Sequence, residues 1–105
     1  METFELDAIE LDYHGQAIKL NFDDAVLVIV TEYGDRLWYV DINGVRNDGL
    51  LTDFNRQEDI RISMNAASSK GALSFSGIGY LHPNEPNQAA AIRGDGELLM
   101  QPHSR

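Results

Sequence analysis

The sequence predicts an all-β protein: a small antiparallel barrel-like roll or sandwich of about seven to nine short strands, opened by an N-terminal four-strand meander. Three observations predict it. Short apolar/polar alternations recur along the chain, separated by Gly, Asn, Asp and Pro turn signals. The stretch from Ala25 to Ile42 fills two arms with β-branched and aromatic residues around Gly34-Asp35, a favoured hairpin connection. A phase slip near Asp7-Ala8 and the interruption Gly77-Ile78-Gly79 mark places where a sheet bends, which favours closure or strong curvature.

Taken in order, Phe4 and Leu6 share one parity while Ile9, Leu11 and Tyr13 share the other, so a bulge near Asp7-Ala8 is expected. His14-Gly15 reads as a two-residue turn that sets Leu11 opposite Ile18, Ile9 opposite Leu20, and Glu10 opposite Lys19. Asp23-Asp24 then turns the chain into the central strand. With Gly34-Asp35 as the loop, Leu27, Ile29 and Thr31 face Ile42, Val40 and Trp38 on the dry side. The other side carries Val26, Val28, Val30, Leu37, Tyr39 and Asp41. A strand apolar on both faces is usually covered on both, so this second face is either closed over by the later strands or used as an interface.

Asn43-Gly44 and Asp48-Gly49 are turn signals. Leu50-Leu51 with Phe54 fits a brief strand or a helical turn, and residues 55–59 read as a loop. Ile60, Ile62 and Met64 alternate with polar residues as a strand. Ala67 to Lys70 turns it into the strand Gly71–Leu81, with Met64 expected opposite Leu73 and Ile62 opposite Phe75. His82 to Asn87 is a proline-containing loop. Residues 86–93 are open between a short helix capped by Gly94 and a strand turning at Gly94-Asp95 into 97–100; the hairpin is preferred. Residues 101–105 read as a loose tail on a single domain spanning 1–105.

Composition bounds function. The chain of 105 residues has no cysteine, which removes disulfides, thiolate metal sites and a cysteine nucleophile together. The acidic start lacks the basic and apolar pattern of an export signal, and the longest apolar run, Ala25 to Val30, is far short of a membrane helix, so the reading is cytoplasmic with no membrane partner. A formal charge of −9 argues against nucleic acid, whose binding is driven by cations displacing counterions. Because the acids are scattered, solubility explains them more simply than mimicry of a nucleic acid or pairing with a basic protein.

Chemistry-bearing patterns are few. The histidines His14, His82 and His103 are not spaced to share a metal on one element, and no cofactor is implied. Ser74 or Ser76 with His82 and Asp41 makes a triad on paper, but no Gly-x-Ser-x-Gly surrounds either serine. Gly77-Ile78-Gly79 and Gly94-Asp95-Gly96 lack the lysine of a phosphate loop, and Arg93-Gly94-Asp95 reads as a hairpin tip. Asp41-Ile42-Asn43-Gly44 begins like a calcium loop and lacks its later ligands. The spacings of the c-di-GMP-binding PilZ barrels are not met: Arg56 and Arg61 are one residue too far apart, and Ala66 stands where Asp or Asn would precede Ser68 and Gly71.

Two functional classes are therefore expected. The first is a non-enzymatic protein-interaction or self-associating β module, using the face of Val26, Val28, Val30, Leu37, Tyr39 and Asp41 on a protein partner or in a homodimer. The alternative is a small-molecule-binding or catalytic barrel with a site near His82, Tyr80 and Asp41.

Overall fold

The computed structural model describes residues 1–13, 15–46, 60–68 and 73–102. These form a curled sheet of eight antiparallel strands, a half-barrel: β1 (Glu2–Glu5), β2 (Ala8–Tyr13), β3 (Gln16–Lys19), β4 (Asp24–Glu32), β5 (Asp35–Asn43), β6 (Arg61–Ser68), β7 (Leu73–Asn84) and β8 (Ala89–Pro102). Their order in the sheet is β1-β4-β5-β8-β7-β6-β2-β3. The described residues contain no α-helix, only a 3₁₀ turn at Glu85–Asn87 between β7 and β8. The expectations on residues 47–59, on residues 69–72 and on residues 103–105, together with His14, lie outside the described residues.

The phase slip at Asp7-Ala8 marks where the first strand changes partners. β1 pairs with β4, Phe4 beside Leu27. β2 pairs with β6, Leu11 beside Met64. Between them, the Leu6 amide donates to the Ala25 carbonyl at 2.9 Å and the Asp7 amide to the Ala67 carbonyl at 2.8 Å. Residues 5–8 thus bridge the two ends of the curled sheet, and the extra residue flips the chain so that both Leu6 and Ile9 stay buried.

The N-terminal meander is built from two hairpins. In β2–β3 the register is the expected one, Leu11 opposite Ile18 and Glu10 opposite Lys19. β4–β5 pairs Leu27 with Val40, Ile29 with Trp38 and Glu32 with Asp35. Here the loop is Tyr33-Gly34 rather than Gly34-Asp35, with φ of 52° and 84° at its two residues, a type I′ turn. The shift is two residues, so every side chain keeps its predicted face. A tyrosine is costly at φ > 0 and gains nothing here, since it is exposed. Tyr33→Asn, which suits type I′, is expected to raise stability by about 0.5–1 kcal/mol in denaturant titration.

Between the hairpins, β3 and β4 are not neighbours. Asp23-Asp24 is a crossing rather than a hairpin tip, tied to the segment after β5. The Asp23 amide donates to the Asn43 carbonyl at 2.9 Å, Asn43 Nδ2 donates to Asp24 Oδ1 at 2.9 Å, and Arg46 forms an ion pair with Asp23. Gly44, at φ 70°, is the residue this crossing requires, because a Cβ there would overlap the Asp23 side chain.

β6–β7 pairs Ala66 with Phe75, Met64 with Gly77 and Ile62 with Gly79, four residues out of the expected register and with the faces unchanged. β7 runs on through His82 and Pro83 to Asn84, so these residues lie in a strand rather than a loop. Beyond Leu81, whose amide donates to the Ile60 carbonyl at 2.9 Å, β7 has no described partner on the β6 side. An edge is where a strand accommodates a proline. β8 is one strand from Ala89 to Pro102, neither the expected hairpin nor a helix, and it continues into the expected tail. Its register against β7 shifts between Gly77 and Gly79, so the glycine corner is a bulge and Gly94-Asp95 lies within it, not at a hairpin tip.

The inward-facing residues make one core, including Leu6, Ile9, Leu11, Leu27, Ile29, Trp38, Val40, Ile42, Ile62, Met64, Phe75 and Ile92. Trp38 organises its β5–β8 side. Cβ atoms added at Gly77 or Gly94 would run into the indole, and Trp38 Nε1 donates to the Gly96 carbonyl at 3.2 Å. The β8 bulge and its glycines make the seat for this ring.

Candidate functional site

Val26, Val28, Val30, Leu37, Tyr39, Asp41, Tyr80 and His82 all project from the outer face of the sheet. The ladders fix two rows across neighbouring strands. One runs Val28, Tyr39, Arg93, Tyr80, Arg61 over β4, β5, β8, β7 and β6. The next runs Val26, Asp41, Ala91, His82. Val30 pairs with Leu37 toward the hairpin tip. The interaction face and the alternative ligand site, kept apart at the sequence level, are therefore two parts of one surface.

The later strands do not close over this face. β6, β7 and β8 take their own places in the same sheet, so the intramolecular cover considered for Val26, Val28 and Val30 is not supplied by them. Leu37 is 56 % exposed and Tyr39 39 %, while Val26 and Val30 are half-buried. Val28 is only 7 % exposed, yet it does not belong to the contiguous core. It sits between Thr3 and Tyr39 in the ladder.

Beyond Tyr39 the surface becomes cationic and aromatic. The Arg61 guanidinium lies 5.8 Å from the Tyr80 ring centroid, donates to Tyr80 Oη at 3.2 Å and pairs with Asp95 at 3.1 Å. Arg93 stands between Tyr39 and Tyr80 in the row and is exposed. The contribution of Arg93 and Arg61 to this surface was missed from the sequence, because which residues flank Tyr39 and Tyr80 depends on pairing between strands distant in the chain.

Asp41 and His82 flank Ala91, two strands apart, or roughly 10 Å between their backbones. The small alanine leaves a depression of about 560 Å³ lined also by Asn43, Asn84 and Pro83. Tyr80 is two residues along β7 from His82 on the same face and does not line it. Ser76 is six residues from His82 on that strand, roughly 20 Å away, and Ser74 is farther still, so the paper triad is not assembled. Among the described residues no three His, Asp or Glu side chains are grouped to hold a metal ion, and no helix is long and apolar enough to cross a membrane.

A larger groove of about 580 Å³ lies where β5 and β8 part. Their ladder ends at Tyr39–Arg93, and Gly34 to Trp38 line one wall while Gly94, Gly96, Glu97 and Leu98 line the other, with Ile29 below. No protein family, no curated protein and no solved structure matches this chain.

Proposed function

We propose that this chain is a non-enzymatic protein-interaction module that self-associates through the outer face of β4 and β5, with Leu37 and Tyr39 as its exposed centre. One observation carries the reading: Leu37, Tyr39, Val30 and Val26 lie side by side on neighbouring strands with Leu37 more than half exposed, and the chain's later strands leave them uncovered. A grouped apolar surface of this kind on a small domain marks an interaction site. Its continuation into Tyr80, Arg93 and Arg61 has the composition of interface centres, where tyrosine and arginine are enriched.

Sedimentation across a concentration series tests it. The wild type is expected to reach a mass twice its 11.7 kDa, and to do so more readily as salt screens the repulsion between copies of charge −9. Leu37→Lys, at an exposed position, is expected to give a folded monomer. Val28 is a poorer choice, since its burial means a charge there threatens the fold itself. A wild type that stays monomeric at millimolar concentration and high salt overturns the proposal.

A second reading, a small-molecule site, rests on Asp41 and His82 flanking the depression over Ala91. Loss of any bound ligand in Ala91→Leu, with the fold intact, is its test.

A further inference from the structure

We propose that the gap between β5 and β8 is a strand-addition site that takes an extended, basic segment of a protein partner. The proposal rests on the interaction-module reading and names a neighbouring site, which shares Leu37 with the outer face, and a partner chemistry for it.

The gap is bounded by two strand edges. β5 pairs with β8 only through residues 39–43 and 89–93, whereas both strands extend beyond that ladder. The β8 bulge at Gly94–Gly96 parts them. Past it, Leu98 to Pro102 pair with β7 on one side, and among the described residues nothing pairs with them on the other. Residues 35–38 of β5 are likewise paired with β4 alone. In an antiparallel ladder alternate backbone N–H and C=O groups point away from the existing partner, so both walls offer donors and acceptors that no described strand pairs, the Gly96 carbonyl taken by Trp38 Nε1 apart. An extended chain is the one occupant that satisfies two such rows at once, which is how peptides add to sheet edges.

The side chains match a strand's alternation. Leu98 and Met100 pair with Gly77 and Phe75 on the inner face, yet Met100 is 41 % exposed and Leu98 only half-buried. The inner side of the gap, with Trp38 and Ile29, is thus apolar core left partly uncovered. On the outer side Leu37 and Leu99 are each 56 % exposed, with Asp35 and Glu97 at the same openings. A strand with apolar residues inward and basic ones outward complements both. Among the described residues Arg36 is the only cation lining the groove, against the acids Asp35 and Glu97, and the whole chain carries −9. That charge disfavours a second copy as occupant and favours a basic partner.

The test titrates the protein with an alternating Lys-Val octapeptide and follows emission from Trp38, the chain's single tryptophan, together with amide exchange. Saturable binding is expected, with exchange slowed at residues 35–38 and 97–101. Asp35→Lys with Glu97→Lys should weaken it about tenfold, the effect of two modest surface charge pairs. The same peptide N-methylated at alternate residues should not bind, because it cannot complete the ladder. Tyr39→Ser, which removes the centre of the outer face without adding charge and does not line the groove, should leave peptide binding unchanged, so failure of the self-association reading is told apart from failure of this one. No binding at millimolar peptide, equal binding of the N-methylated form, or equal binding of a Glu-Val peptide would overturn the inference. So would self-association that protects residues 97–101, since the second copy would then be the occupant.

Discussion

Trp38→Ala is expected to cost about 3–5 kcal/mol in denaturant unfolding, the range for removing a large buried aromatic side chain. Trp38 is 3 % exposed, and its ring fills the space over Gly77 and Gly94 where the β8 bulge bends away from β5. Truncation therefore removes packing and also leaves the Gly96 carbonyl without its indole donor. Gly94→Ala probes the same seat from below. Its Cβ would overlap the indole, so overpacking is expected to cost about 1–3 kcal/mol in the wild type. In a Trp38→Ala background the ring is gone, and the same alanine should be neutral or stabilising by up to about 1 kcal/mol, because it restricts the unfolded chain. The two substitutions should therefore be strongly non-additive, as neighbours sharing one space are. A loss below about 1 kcal/mol for Trp38→Ala, or simple additivity in the cycle, would mean the ring is not seated on these glycines.

The same seat shows what could be read from the sequence and what could not. Face assignment was legible throughout, because a strand's period of two survives even-numbered slips. β4–β5 moved by two residues and β6–β7 by four, and Leu27, Ile29, Trp38, Val40, Ile62 and Phe75 all stayed inside. The turn itself was less legible, since Gly34 can occupy either position of a type I′ loop and only the φ of Tyr33 decides between them. Neighbour order was not legible where the chain crosses between sheet ends. Asp7-Ala8 looks like a local bulge, and nothing in its residues says that the strand before it belongs to β4 and the strand after it to β6. β8 misled for a related reason: Gly94-Asp95-Gly96 has the composition of a hairpin tip, but Gly94 is there to admit Trp38 and Gly96 to take a φ of 94° within the bulge. The candidate surface was half legible. Val26 to Val30 with Leu37 and Tyr39 followed from one hairpin, whereas Arg93 and Arg61 reach that surface only through long-range pairing, and the β5–β8 gap exists only because two registers disagree.

Removing residues 2–7 is expected to unfold the protein, although β1 is only four residues long and lies at an edge of the sheet. A short edge strand is ordinarily dispensable, and the expectation here turns on what these residues join. Leu6 is buried, and a side chain of that size contributes about 1.5–3 kcal/mol on burial. The Phe4 ring packs on Phe75 at 5.1 Å between centroids, tying the β4 side of the roll to β7. The Leu6 and Asp7 amides bond to β4 and β6 respectively, and together with the β1–β4 ladder each net hydrogen bond adds about 0.5–1.5 kcal/mol. The sum is about 5 kcal/mol or more, comparable to the whole stability of a small domain, about 5–15 kcal/mol. Truncation also bares the outer edge of β4, an apolar strand, to pairing with other chains. The truncated protein should therefore show red-shifted Trp38 emission, lose its cooperative transition and aggregate. Leu6→Ala, which spares the backbone bridge, should cost about 2–5 kcal/mol and keep the transition. A peptide of residues 1–7 added in trans should restore folded emission, because it can re-form the β1–β4 ladder and the Leu6 and Asp7 amide bonds. A truncated protein with an unchanged denaturant midpoint would show that the curled sheet closes without this segment.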